Sequence, residues 1–424
     1  MLSDTLDPMS ASRPATSSPP AAHPANTIMS PGLVVLILSL LLGLQPVTTD
    51  LYLPALPAMK EGFGATMTQA QLTLSALLLS FGCSQLVWGP LSDRIGRRPV
   101  LLIGMVAYTV SALGCALATS MEALILGRMV QGAAMGAGVM CARAIVRDLY
   151  KPLEGARVMS KGLSGLGVIA CLSAPLGGLL SDWMGWRAAM LALAVFGAAT
   201  LGLLGWRFSE SLAQRNPQAT RPGVVLRTWW QILRHPTFIT FSVLTAASYG
   251  GLFTFLASSS FVFIKVLGLS KTAYGLLMCS MSFAYFLGTF MCRWMLPRLG
   301  LRRSVAVAGG MTLLGGTLMG TLALAGVHEG WAIMLPYYIF MLAHGVHQPC
   351  GQSGAVGPFP QAAGAASALN GFGMMLVAFG IGAWLGQRMD GTIYPLTLGI
   401  WFWSACIALT AWTLVPRYGE PATP

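Results

Sequence analysis

Two ionisable side chains interrupt stretches that are otherwise apolar. Asp50 sits in Thr48-Thr49-Asp50-Leu51-Tyr52-Leu53-Pro54-Ala55-Leu56-Pro57, and Arg128 in Leu126-Gly127-Arg128-Met129-Val130-Gln131-Gly132. An ionised side chain inside hydrocarbon costs roughly 3 kcal/mol or more, so it faces a cavity or a partner. Burial favours the neutral carboxylic acid, and a nearby cation favours the carboxylate. Asp50 is therefore the candidate proton acceptor and Arg128 the group that tunes it. A helix rises about 1.5 Å per residue, which puts both charges in the outer half of a membrane at similar depth. A structural alternative stays open, in which Asp50 caps its helix at the interface and Arg128 snorkels to the surface.

A second concentration of charge lies in Gly89-Pro90-Leu91-Ser92-Asp93-Arg94-Ile95-Gly96-Arg97-Arg98-Pro99, in a chain of which 9% is charged. Its punctuation predicts a short hairpin between two apolar runs, with Gly89 and Gly96 in tight turns. In Ala174-Pro175-Leu176-Gly177-Gly178, Pro175 removes a helical hydrogen bond and predicts a bend, while Gly177 and Gly178 allow close helix approach. Side chains suited to an adaptable pocket for small apolar molecules are Gln45, Thr49, Gln131, Met135, Tyr249, Phe253 and Asn370; ordinary packing is the alternative for each. His344, Gln348 and Gln352 share one helix face. His344 and His347 either bond between helices, line a cavity or titrate near neutral pH. Spacing i, i+3 without a carboxylate is poor evidence of a metal, so no metal and no cofactor is expected.

The elements that must position these groups follow from composition. The chain has 424 residues, 55% hydrophobic, with a mean hydropathy of +0.68. Soluble domains are about 25% charged, so this chain belongs in lipid. A helix crosses the hydrocarbon with about 20 apolar residues. Twelve such runs are expected, near 32–55, 70–90, 99–119, 122–146, 158–181, 187–206, 237–260, 271–295, 303–326, 331–355, 362–386 and 394–415. The fold class is all-α integral membrane. A barrel is excluded, because it requires short alternating segments.

The expected organisation is a disordered cytoplasmic tail (1–31), a six-helix bundle (32–206), a central cytoplasmic loop (207–236), a second six-helix bundle (237–415) and a short tail (416–424). The net charge of +12 would suggest nucleic acid in a soluble protein. Here no basic patch with aromatic side chains accompanies it. Nineteen of the 25 Lys and Arg residues fall on the side of the N-terminus, which places both termini in the cytoplasm. Pro297-Arg298-Leu299-Gly300-Leu301-Arg302-Arg303 follows span 8 as the first hairpin follows span 2, an internal repeat that suits a transporter of two halves around a central site. The eight cysteines include no Cys-x-x-Cys and read as small apolar side chains, not as a disulfide framework.

Several motifs carry a resemblance. The segment Gly89–Arg98 resembles the loop between spans 2 and 3 of the major facilitator superfamily. Thr49–Pro57 resembles the first-span motif of the bicyclomycin and chloramphenicol resistance (Bcr/CflA) branch of its twelve-span drug–proton antiporters. Leu126–Gly132, Arg143–Tyr150 and Ala174–Gly178 are similar to motifs of spans 4 and 5, with Ala174 replacing a glycine. The resemblance implies a fold of two six-helix bundles and a proton role for the span-4 arginine. It makes Gly89, Asp93, Arg94, Gly96, Arg97 and Arg98 a cytoplasmic latch on the outward-facing state, and Pro175, Gly177 and Gly178 a bend that seals the cavity.

The expected function is proton-coupled export of small amphipathic drugs by alternating access, from the inner membrane of a bacterium, as a monomer. Its partners are the substrate, protons and the bilayer. A metabolite transporter for nucleosides or amino acids keeps the same fold. A passive channel is a third reading, which saturable, pH-driven flux would exclude. An intramembrane serine hydrolase is the distant alternative: Gly351-Gln352-Ser353-Gly354 and Gly162-Leu163-Ser164-Gly165 are four-residue matches among 50 glycines, and Leu166 and Ala355 fall where a nucleophile elbow needs Gly. No enzyme is expected. No second acid precedes Asp50 in Gly43–Thr49, which favours neutral or zwitterionic cargo over cations.

Overall fold

The computed structural model describes residues 29–419; most of the two expected tails lies outside these residues. The fold is all-helical. The first elements are α1 (Pro31–Asp50), α2 (Leu56–Gly62), α3 (Met67–Ile95), α4 (Arg97–Ala116), α5 (Met121–Leu149), α6 (Pro152–Trp183) and α7 (Trp186–Arg207). After them come α8 (Pro222–Leu233), α9 (Pro236–Ser260), α10 (Lys271–Leu324), α11 (Gly330–Val356), α12 (Ala363–Arg388) and α13 (Tyr394–Tyr418).

Helix starts follow local chemistry. Ser30, Ser120 and Ser270 accept from the N–H three residues on, at 3.1–3.3 Å. Thr66 and Gln69 form a reciprocal capping box at α3, satisfying two donors that the first turn leaves free. Pro31, Pro222 and Pro236 stand at first helical positions, where the missing N–H costs nothing.

Among the described residues, ten helices are long and apolar enough to cross a membrane. Among them, α10 has 54 residues and is broken at Gly300 (φ 71°, ψ 173°); it supplies spans 8 and 9. The polar α11, with His344, His347 and Gln348, is the remaining span. Gly96 takes nearly the same conformation (φ 108°, ψ 160°) between α3 and α4. The repeat seen in sequence is thus a repeated backbone device, one left-handed glycine between two helices.

Three boundaries differ from expectation. The hairpin at 89–99 is almost entirely helical: α3 runs to Ile95, α4 starts at Arg97, and Gly89 is an ordinary helical residue inside α3. The 207–236 connection contains α8. Span 1 ends early, at Asp50, and the chain turns through a 3-10 segment, Leu53–Ala55, into the short α2. Pro54 and Pro57 supply no N–H to continue an α-helical ladder.

In packing, α3 lies between α5 and α12, and α6 between α1 and α10. The contacts are made by small residues. A Cβ on Gly132 would meet the Leu77 carbonyl oxygen at 2.1 Å, and one on Gly345 the Gly288 carbonyl carbon at 2.6 Å. With little hydrophobic force between helices in lipid, such close backbone approach is a main source of cohesion. Large apolar side chains such as Val110, Leu126, Val168 and Leu409 are exposed and form the lipid-facing surface.

Candidate functional site

Arg128 is wholly buried. Its Nη1 donates to Gln131 Oε1 at 2.8 Å and its Nη2 to the Thr48 carbonyl at 2.9 Å. Its Nε points at the Thr73 carbonyl at 3.5 Å. The guanidinium lies over the Tyr52 ring, 4.4 Å from the centroid. Tyr52 in turn bonds Thr73, and Tyr108 bonds Thr48 at 2.7 Å. A buried charge requires partners. Here they are carbonyl oxygens, an amide and an aromatic face, with no carboxylate paired to Arg128 among the described residues.

Asp50 is the last residue of α1, and Thr49 donates to its Oδ1 at 2.8 Å. It forms no ion pair with Arg128. The connection between them runs through the backbone instead, since Arg128 grips the carbonyl two residues before Asp50. Around Asp50 stand Cys171 of α6, Tyr249 of α9 and Tyr274 of α10, all within electrostatic reach. Gln45 meets the Tyr249 hydroxyl. The carboxyl group therefore sits where the first and second sets of helices meet.

The remaining candidate pocket residues divide. Tyr249 stacks on Phe253 at 6.5 Å with planes 14° apart. Thr245 donates to Asn370 Oδ1 at 2.8 Å and Ser248 bonds His344 Nδ1 at 2.8 Å; Gln348 donates to the Thr245 carbonyl at 3.4 Å. His344, Gln348 and Asn370 thus tie α11 and α12 to α9. His347 bonds Thr312 at 3.2 Å. Met135 and Phe253 are wholly buried and Gln131 is committed to Arg128. In this conformation these three present no surface to a ligand, whereas Gln45 and Tyr249 meet across the two sets of helices.

At Gly96, Arg97 is almost fully buried and pairs with Asp93 at 2.6 Å and Asp148 at 2.9 Å. Its Nη1 also reaches Ser92 Oγ at 2.6 Å. Glu210 accepts from the backbone N–H groups of Arg97 and Arg98 at 2.9 and 3.1 Å, placing a carboxylate where α4 has free donors and a positive dipole end. Arg94 donates to Thr220 at 2.9 Å and Arg98 to the Gly205 carbonyl at 3.1 Å. The charged cluster thus fastens α3, α4, α5 and the segment after α7 to one another.

At the opposite face the two sets of helices are in contact. A Cβ on Gly178 of α6 would meet the Lys271 carbonyl oxygen of α10 at 2.4 Å, whereas one on Gly177 would meet the Leu51 carbonyl oxygen, within the first set, at 2.0 Å. A Cβ on Gly275 would meet the Ala174 carbonyl oxygen at 2.5 Å. Pro175 lies within a continuous α6; the helix is not interrupted there, and the glycines beside it carry the close approach. Asp182 accepts from the Thr272 hydroxyl and N–H at 2.6 and 2.9 Å. Lys265 pairs with Glu61 at 2.5 Å, and Gln71 donates to the Ala257 carbonyl at 2.7 Å. On the face where α1 begins and α13 ends, Arg143 donates to Ser367 at 2.8 Å.

The family profile of the Major Facilitator Superfamily matches residues 38–383. The chain belongs to the major facilitator superfamily. It is 30% identical over 362 residues to Multidrug resistance protein D of Escherichia coli (strain K12), covering 85% of this chain and 89% of that one. It is 31% identical over 342 residues to the Chloramphenicol resistance protein of Pseudomonas aeruginosa, covering 79% of each. To the Bicyclomycin resistance protein homolog of Haemophilus influenzae it is 25% identical over 384 residues, 89% of this chain and 94% of that one. These relatives place it in the drug–proton antiporter group of the superfamily, Bcr/CflA branch, among transporters and not enzymes. The partially occluded inward open xylose transporter XylE from E. coli shares the fold, with a TM-score of 0.73 over 92% of this chain and all of that one, at 14% identity.

Two acids that the sequence left unmarked, Asp148 and Glu210, take part in the charged cluster. Asp148 stands in the quoted span-4 segment, five residues after Arg143, but nothing local marks it as the partner of Arg97. Glu210 is an acid in a basic connection, which is its only signal. Tyr52, Thr73 and Tyr108 around Arg128 were also unmarked. Of the two serine matches, Ser164 and Ser353 each bond a carbonyl of their own helix turn, at 3.0 and 2.8 Å. The cysteines are free; four are buried and Cys83 is exposed.

Proposed function

We propose that this chain is a proton-coupled exporter of small amphipathic compounds, of the chloramphenicol or bicyclomycin kind, that works by alternating access in a bacterial inner membrane. The names of the relatives support the cargo class. The observation that carries the coupling is Asp50: a partly exposed carboxyl group at the meeting of α1, α6, α9 and α10, with no cation paired to it among the described residues. In this reading the termini face the cytoplasm, 32–206 and 237–415 are the two rocking halves, and the chain acts as a monomer.

Separation of the halves at the Asp50 face exposes that carboxyl group to the outside, where it takes a proton. Closure brings Tyr249, Tyr274 and Cys171 back against it and commits the proton to the inner side. Arg128 acts through the Thr48 carbonyl, fixing the end of α1 on which Asp50 stands. Gln45, Thr49 and Tyr249 are the first residues cargo meets; Gln131, Met135, Phe253, His344 and Asn370 lie behind them and enter only after rearrangement. The Arg97 cluster is the inner latch, keeping the first half rigid as it moves.

The test is substrate-triggered proton movement in proteoliposomes with a chloramphenicol-class compound, native against Asp50→Asn. Loss of the proton signal in the variant, with the compound still bound, supports the assignment. An equal signal in both sinks it.

A further inference from the structure

The helix inside the central connection has three faces. Val225, Trp229 and Ile232, at i, i+4 and i+7, form the inward stripe; Ile232 is 1% exposed and α8 packs on α9 and α12. The next stripe, Leu226, Trp230 and Leu233, is apolar yet exposed, at 60%, 58% and 48%. The third, Arg227, Gln231 and Arg234, is polar and exposed. Arg234 lies over the Trp230 ring at 4.2 Å, joining the apolar and polar stripes. A groove of about 440 Å³ runs along the polar side, lined by Arg221, Arg227, Thr228 and Gln231 among others. From Pro222 to Arg234 there is no acidic residue.

A soluble loop has no use for an exposed Leu-Trp-Leu stripe. A helix lying in the membrane surface requires one, with tryptophan at the headgroup level and arginine beyond it. We infer that α8 lies in the bilayer surface, its apolar stripe in the acyl boundary and its arginines binding the phosphate of an anionic phospholipid headgroup. Arginine suits this ligand because its planar fork matches phosphate oxygens. The inference rests on the proposed topology only for the choice of leaflet, the cytoplasmic one.

Each basic residue at an anionic surface contributes about fivefold to partitioning, so three contribute on the order of a hundredfold. The experiment measures phosphatidylglycerol retained by the purified full chain in native mass spectrometry, and hydrogen exchange of 221–236 in discs of phosphatidylglycerol or phosphatidylcholine. The triple variant Arg221→Gln, Arg227→Gln, Arg234→Gln changes only exposed side chains. It is expected to lose the retained anionic lipid by roughly a hundredfold and the extra exchange protection with it. A variant of equal charge, Arg157→Gln, Arg215→Gln, Arg417→Gln, is expected to keep both. Equal retention in the two variants overturns the inference, as does equal protection of native α8 in both lipids. Displacement of the lipid by millimolar glycerol phosphate marks a soluble-phosphate site and overturns the lipid assignment. Neither readout requires transport, so a transport-inactive protein that still retains the lipid refutes the proposed function alone.

Discussion

The contact between α6 and α10 constrains how the proposed halves can move, and Gly178→Ala tests it. The added Cβ would lie 2.4 Å from the Lys271 carbonyl oxygen, 2.9 Å from its carbon and 3.0 Å from Thr272 Cα, against an ordinary contact distance of 3.4 Å or more. All three are backbone atoms, so no rotamer change relieves the clash; the helices must part by about 1 Å. That shift also loosens the Gly275 contact with Ala174 and the Asp182 bonds to Thr272. Overpacking of this kind costs about 1–3 kcal/mol. Because it applies only while these ends are together, it biases the equilibrium toward the separated state by roughly 5- to 150-fold. The assay is labelling of Ala257→Cys, in a background free of other cysteines, by a membrane-impermeant maleimide in intact cells. Ala257 is fully buried here, so labelling reports opening of this face, the proposed outer one. Gly167→Ala in the same helix is the control, since no atom lies within 4 Å of its Cβ. Labelling of Gly178→Ala within twofold of the parent, with the protein folded, refutes the reasoning, as does an equal rise in the control.

Four further outcomes follow from the geometry. Asp148→Ala leaves the buried Arg97 without its main partner, which costs about 3–5 kcal/mol. Asp93→Ala removes a pair whose acid is 41% exposed and costs about 1 kcal/mol or less; the order of the two in thermal stability in detergent checks this. Glu210→Gln keeps the size of the cap on α4 but removes the charge, and is expected to lower stability by about 1 kcal/mol in the same measurement. Arg128→Lys offers one point charge where a fork now reaches Thr48, Thr73 and Gln131, and is expected to cut transport at least tenfold while the protein still inserts; near-native transport contradicts the backbone grip. The antiparallel contacts Gly178–Lys271 and Pro175–Gly275 put Cys171 opposite Cys279 one turn on, so a thiol oxidant is expected to join the halves and stop transport until reduced. In a Cys171→Ser variant the remaining close pair, Cys292 and Cys350 at 3.8 Å, lies within one half, and oxidation is expected to leave transport intact.

Composition was sufficient for the fold because a helix in lipid must satisfy its own backbone; every apolar run of the right length had no other structure open to it. The Gly300 break and the Gly96 break were legible as a repeat for the same reason, since each lies between two such runs. Their helical flanks were not legible. Asp93, Arg94 and Arg97 look like loop residues by type, yet the pairing of Arg97 with Asp93 and Asp148 and the Glu210 cap keep them in helices. That information lies 51 and 113 residues away along the chain. The central loop hid α8 because twelve residues in three stripes read as a mixed polar segment unless their period is followed. Asp50 and Arg128 stood out as candidates because charge is rare in these spans. Their relation did not, because a guanidinium in a buried site bonds whichever acceptors surround it, and here these are carbonyls.

In the proposed coupling, that relation changes how a proton signal would pass through the first half. An ion pair between Asp50 and Arg128 would make the arginine's position a switch on the carboxyl charge. The observed arrangement instead makes Arg128 a fixed anchor: it holds the Thr48 carbonyl at 2.9 Å, while the Thr48 hydroxyl bonds Tyr108 at 2.7 Å and the Leu44 carbonyl at 2.5 Å. The end of α1 is therefore tied to α4 and α5, and on the proposed mechanism Asp50 would travel with them as one body. In that proposal, what varies between transport states is the other wall of the site, Tyr249 and Tyr274. Coupling on this account depends on how α9 and α10 cover the carboxyl group, so Tyr274→Phe and Tyr249→Phe are expected to shift the pH dependence of transport while Arg128→Lys lowers its rate at every pH. A pH profile that moves with Arg128 and not with the two tyrosines would restore the direct switch.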